Sequence, residues 1–585
     1  MRKLYYGFTG FAVVVLLAVS GGAQSDPPFW PQWARDSQHT GRVSVAGQEL
    51  NRILADVIYD PLVPQEQARS GGGLLAHYQV TLLDGENVFM EFKDGSFDPN
   101  NYASERWGEN GFQWQNGQLV LKWSYRSDWN PPGSLNKDFW EPVFHAVLAN
   151  GFIYVPGSSG TLWKLNTSDG TVAGKIDPFH SSSANIYTVS PPTADAAGNI
   201  YYNALQLQSN SDFFSTNPID SWIVKVTPAG VVTLASYSAM LSTVGAPGPN
   251  DQCLAIFSDS QLPWPPSTTA VPPTSTCGLQ RVALNIAPAL SPEQGVLYSV
   301  TRAHLFSRYG YLVAIHTSDL SLKWASSLRD RFHDGCRATA AEPGVLPLNG
   351  QPGGCRMGAN PGVNPETNRA GEGRVLDDSS SSPTVAPDGS ILYGAYSAYN
   401  YEQGHLMHFA ADGSYLGSYG FGWDSTPAIY AHGSTYSIVI KDNHYSGIGS
   451  YCNVDAVCPP DRTATNPFSP EAYFITQLSP SLATEWMFQN TNTLSCTRQP
   501  DGTISCSSDH LHGFEWCVNA PVVDANGVVY ANSEDGYLYA ISQGGTLKQR
   551  LFQQLALGAA YTPASIDASG RIYSQNAGHL FVVGK

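Results

Sequence analysis

One unit recurs along this chain and limits what it can fold into. A proline opens a short β-prone run, a tight glycine turn follows, and a second run ends in tyrosine. The unit runs from Pro192 through Gly198 to Tyr201, and from Pro288 through Gly295 to Tyr298. It returns from Pro383 through Gly389 to Tyr393, Pro521 through Gly527 to Tyr530, and Pro563 through Gly570 to Tyr573. Residues 146–154 form a copy without the proline, and residues 427–436 a weaker one. A variable stretch and a third β run come next, often with a fourth such as residues 322–325 or 485–488. Runs bounded by Asn-Gly, Asp-Gly or Ser-Gly signal antiparallel hairpins. Four-stranded meanders repeated at irregular spacing are the blades of a β-propeller. Residues 76–125 hold one more meander, so the sequence predicts an all-β fold of eight blades, with seven as the alternative. The last copy ends after three strands, and a ring must close to remove its sheet edges. Residues 53–59 are therefore expected to supply the missing strand.

Composition supports this. Charged residues are 14% and aromatic residues 12%, with 56 Gly and 40 Pro. That mix suits many short strands and turns rather than coiled coils or charged disorder. The net charge of −17 argues against nucleic acid as a partner.

Residues 1–24 read as a secretory signal. Arg2 and Lys3 precede a short apolar core, and Gly21, Gly22 and Ala23 offer a cleavage site. No later stretch is long and apolar enough to span a membrane. The expected organisation is a signal at 1–24, an extension contributing to ring closure at 25–75 and the propeller at 76–585. The expected location is periplasmic or extracellular. Eight of the nine Cys form close pairs in Gly/Pro-rich stretches: Cys253 with Cys277, Cys336 with Cys355, Cys452 with Cys458, and Cys496 with Cys506. In an exported chain these read as disulfide staples. Cys517 is left as a buried thiol.

The turns at 164–175 and 314–324 resemble the outer-strand repeat of PQQ-like, quinoprotein alcohol dehydrogenase-like propellers. The resemblance covers residues 140–585 in degenerate copies. That family holds dehydrogenases and non-catalytic scaffolds alike. Its enzymatic branch implies PQQ and calcium at the channel mouth, with an Asp as base. The adjacent Cys pair of many such dehydrogenases is missing here, and no repeated Trp docking pattern is legible.

In a propeller, A–B and C–D turns share one face, while B–C loops and D–A links share the other. All the turns of the first kind are minimal here. The long stretches at 204–221, 239–282, 327–380, 445–471 and 489–515 belong to the second kind, and each proposed staple lies in one of them. Residues just before each A strand should ring the channel on that face: Glu141, His145, Ser190, Asn285, Asp378, Asp424, Glu515 and Asn519. Oxygens from Asp424, Glu515 and Asn519 would suit calcium. Paired acids at suitable separation would suit acid–base work on a sugar. Each acid could equally tie its blade to the next. Lys441 and His444 are expected on B–C loops, with Arg302, His304 and Arg308. His510 and His512 would make half a transition-metal site if on a strand. The sequence favours a binding or scaffold protein that presents stapled loops to a protein, glycan or small ligand. A PQQ- and calcium-dependent dehydrogenase and a polysaccharide hydrolase or lyase are the alternatives.

Overall fold

Why the unit repeats is visible in its turns. An Asp two or four residues before the glycine-turn residues accepts their backbone N–H groups. Asp524 Oδ1 takes those of Asn526 and Val528 at 2.8 and 2.9 Å, and Asp567 Oδ1 those of Ser569 and Arg571 at 2.9 Å. The tyrosine that ends the next run donates its hydroxyl to the same carboxylate: Tyr573 to Asp567 at 2.9 Å and Tyr201 to Asp195 at 3.1 Å. The copies at 192–201, 521–530 and 563–573 thus carry their own turn lock, because a side-chain carboxylate replaces the carbonyls that a tight turn leaves short. At 383–393 the tyrosine is borrowed, Tyr436 of the next copy donating to Asp388 at 2.8 Å.

These hairpins assemble into eight four-stranded antiparallel blades. The structure is a computed structural model. It describes residues 29–69, 71, 79–98, 102–131, 144–209, 213, 216–255, 257–258, 266–267, 269–331, 369, 375, 381–399, 402–421, 425–444, 472–499, 501–516, 520–557 and 563–585. Blade 1 comprises Leu82–Asp84, Asn87–Gly95, Glu105–Gln115 and Gln118–Arg126. The strands of blades 2 to 7 lie within 147–176, 186–236, 280–327, 384–421, 428–489 and 522–552 in that order. Blade 8 comprises Ser565–Ile566, Ile572–Asn576 and His579–Gly584, and its outer strand is Arg52–Ile58, antiparallel to His579–Gly584. The ring is closed by the N-terminal strand anticipated from the unfinished last copy.

Neighbouring blades also dock through tryptophan, which corrects the sequence reading. Trp123 of blade 1 donates its indole N–H to the Thr167 carbonyl of blade 2 at 3.0 Å, and a Cβ on Gly170 would meet its ring at 2.6 Å. Trp324 of blade 4 repeats this on the Ala411 carbonyl and Gly413 of blade 5, at 3.1 and 2.8 Å. Trp486 of blade 6 lies against Gly545 of blade 7. Three degenerate copies are too few to read as a pattern along the chain.

A segment with no strand rhythm does the rest. Residues 30–48 run once around the inner strands and bond the blades in chain order. The carbonyl of Trp30 accepts from Leu83, that of Pro31 from Leu148, that of Ser37 from Leu290 and that of Gln38 from Val385. Thr40 then accepts from Ile429 and Gly41 from Val523, and Gln48 donates to Gly570. Blade 3 is reached by a side chain: Gln32 Oε1 accepts from Ala194 at 2.6 Å. All these contacts fall where the inner strands meet their A–B turns. The turn face, expected to be bare, therefore carries this strap at its centre.

Candidate functional site

The strap decides what the central channel can be. The fully buried indole of Trp33 shares one packed cluster with Ala287 of blade 4 and Ala520 of blade 7. It also meets the His145 ring of blade 2 edge-on at 5.8 Å. Blades 2, 4 and 7 lie on different sides of the ring, so Trp33 stands across its axis.

His145 and Asn285 do sit on the inner wall, but as ties between blades. His145 Nε2 accepts the Val80 N–H of blade 1 at 3.2 Å, while Nδ1–H donates to the Ala146 carbonyl at 2.7 Å. Both nitrogens are engaged, and burial pushes its pKa down to about 3, so the ring is neutral. Asn285, buried and left-handed at φ 61°, donates its N–H to Val189 of blade 3 at 2.8 Å. Ser190 accepts from the Asn203 N–H within blade 3. Side-chain amides on the B strands repeat the tie: Asn203 to Ile286, Asn443 to Trp516, Asn532 to Gln575 and Gln575 to Gln79.

The remaining candidates separate. Lys441 and His444 lie on strand Thr435–His444 of blade 6, not on its loop, and Lys441 is buried. Burial alone would lower the His444 pKa, but the hydrogen bond and charge of Asp442 outweigh it and raise it. Glu515 lends its backbone carbonyl to Ser533 and Glu534 of blade 7. His510 and His512 are in a turn region rather than a strand, and His510 stacks on Phe514 at 3.8 Å. Glu141, Asp378, Asp424 and Asn519 lie outside the described residues, as do Cys336, Cys355, Cys452, Cys458, Cys517 and the signal at 1–24.

One polar cluster escaped the sequence reading. In blade 1, Lys93 holds Glu66, Asp60 and Glu105 at 2.9, 3.3 and 3.4 Å, all buried. Glu109 pairs across the sheet from Glu91. Burial raises the Glu109 pKa to about 8, opposed by the Gln79 hydrogen bond, so it is protonated at neutral pH. Charges at alternate positions, Glu91 and Lys93, were the available signal. They were obscured because blade 1 lacks the Pro–Gly–Tyr signature.

Both staples in the described residues, Cys253–Cys277 and Cys496–Cys506, form as paired from sequence. The first packs on Ala303, Phe306 and Tyr309 in the B–C region of blade 4. The second bridges a hairpin, Leu494–Arg498 with Ile504–Ser508, in the link between blades 6 and 7. Both are on the loop face. Nearby, Val271 is 72% and Leu511 83% exposed.

No protein-family model matches the chain, and no curated protein does. Solved structures do match in fold. A europium-containing methanol dehydrogenase aligns at 10% identity and TM-score 0.50, over 94% of this chain and 90% of its own. The quinohemoprotein alcohol dehydrogenase of Comamonas testosteroni aligns at 10% and 0.48, over 95% and 81%. BamB from Moraxella catarrhalis aligns at 10% and 0.37, over 86% and 93%. The architecture is that of the PQQ-like propellers which the turn motifs resembled; at such identity the likeness is one of fold.

A quinone with calcium would need oxygens converging at the mouth. Among the described residues no three His, Cys, Asp or Glu side chains converge to hold a metal. The described wall residues His145 and Asn285 are engaged between blades.

Proposed function

We propose that this chain is an exported binding protein that engages a protein, glycan or small ligand with its stapled loop face. The observation that supports this most is the division of the ring. The turn face is sealed by the strap with Trp33 across the axis, while the disulfide-held hairpins stand on the other side. Ordering long loops costs conformational entropy, which cross-links offset. A rigid ring with ordered loops on one rim is a common arrangement for recognition. Disulfides fit an oxidising compartment, and among the described residues no helix is long and apolar enough to cross a membrane.

The test places a photo-crosslinking residue at Val271, at Leu511 and, on a C–D turn of the opposite face, at Val231. One partner captured from the first two sites and not from the third is expected. That partner should be lost with Leu511→Asp and kept with Val231→Asp. Equal capture from both faces would sink the proposal. So would dye-linked alcohol oxidation after loading with PQQ and calcium.

A further inference from the structure

A groove of about 620 Å³ lies beside the second stapled hairpin. Its walls come from that hairpin, the outer strands of blade 8, the helix Val63–Arg69 and the link at 553–557. The hairpin reaches across blade 7 to make it: Arg498 donates to the Phe552 carbonyl at the end of that blade's outer strand. The size falls in the roughly 300–1,000 Å³ range of small-molecule sites.

The polar groups of the groove do not balance. Asp56 is already matched, with His579 Nδ1 at 2.7 Å. Arg498 has only the Phe552 carbonyl at 3.5 Å and the Phe552 ring at 5.6 Å, and no carboxylate among the described residues pairs with it. Gln553 is 2% exposed; its Oε1 accepts from Ser574, while Nε2 has no hydrogen-bond partner. A guanidinium without a counter-charge and a buried amide without an acceptor leave the groove short of acceptors and of negative charge. Arg498 is exposed at the rim of the groove, where a ligand anion can reach it. Ile53, Leu555 and Phe581 supply apolar wall.

We infer that this groove binds a small organic carboxylate, with its anion on Arg498, an acceptor oxygen at Gln553 and its body against Ile53, Leu555 and Phe581. Guanidinium–carboxylate pairing is the geometry Arg serves best. The Cys496–Cys506 bridge, two residues away, holds the strand that presents Arg498. Two sources share this chemistry, an acidic saccharide and the free C-terminus of a peptide. The inference deepens the reading of the stapled face as a binding surface, but it is tested without any partner.

Titration calorimetry on the full chain would use digalacturonate and acetyl-Ala-Leu-Ala, each beside its neutral methyl ester or amide. At least one carboxylate should bind, with its neutral analogue about tenfold or more weaker. Arg498→Ala should weaken binding by a similar factor, with an unchanged unfolding midpoint as the fold control, and Arg498→Lys should fall between. Whichever carboxylate binds identifies the source. If neither binds, or if Arg498→Ala binds like wild type, the assignment is overturned, while partner capture at Val271 and Leu511 would stand on its own result.

Discussion

The two faces of this ring are built by different rules. On the turn face, the Asp–Tyr lock recurs in blades 3, 7 and 8, and one strap bonds all the blades in order. Its position is dictated by a periodic surface. Among the described residues of the loop face the staples do not repeat: one rests on blade 4 and the other reaches over blade 7. Periodic contacts give a closed and rigid platform. Aperiodic ones give a surface that one ligand can tell from another. The contrast implies that damage on the turn face should be global, and damage on the loop face local.

The largest effect should come from deleting residues 29–58, which removes both the strap and the outer strand of blade 8. We expect no cooperatively folded protein, checked by near-ultraviolet circular dichroism. A soluble ring with native signal would break the comparison. Trp33→Ala should cost about 3–5 kcal/mol in urea unfolding, the usual range for emptying a buried Trp site.

On the other face, Cys496→Ser with Cys506→Ser should cost about 3 kcal/mol at most, from the closed ten-residue loop. Proteolysis should then cut near the hairpin while the blades stay intact. A loss as large as that of Trp33→Ala would erase the distinction between the faces.

The strap with its inner wall and the buried polar sheet of blade 1 should also answer pH with opposite sign. Burial pushes His39 of the strap down to about 4, opposed by its bond to Pro383 and the charge of Asp36, and His145 down to about 3. Unfolding lets both bind protons below pH 6.5, so stability falls as pH drops from 6.5 towards 4. Glu109 behaves inversely. Its folded pKa of about 8 lies above the unfolded value near 4.5, so the folded state holds the extra proton. Stability from this group therefore falls as pH rises from about 4.5 to 8. Glu109→Gln should match wild type near pH 4 and exceed it at pH 8, measured by urea midpoints. An unchanged pH profile in that variant would remove Glu109 from the account. The smallest effect should be Trp324→Phe, which loses the indole bond to Ala411 at about 1 kcal/mol.

Blade number and ring closure were legible because they rest on local chemistry. Pro383, Gly389 and Tyr393 mark a hairpin whatever lies next to it, and three strands before Lys585 leave one to find. The mouth was legible only in position. His145 and Asn285 lie where the strand order puts them, but whether a side chain faces the axis or the next blade depends on how the blades pack. Strand ends blurred likewise: Lys441 and His444 read as loop because polar residues rarely fill a buried strand, yet here Asp442 and Asn443 satisfy tyrosine, threonine and backbone partners. The strap was illegible since residues 29–50 have no period of their own and take their shape from eight others.

That dependence has a temporal consequence. The strap can settle only after the last two blades exist, because Gly41 needs Val523 and Gln48 needs Gly570. Maturation of this wheel should therefore be gated by synthesis of its eighth vane, with a long-lived unlatched species that pulse-labelled hydrogen exchange would detect at the rim of every vane simultaneously.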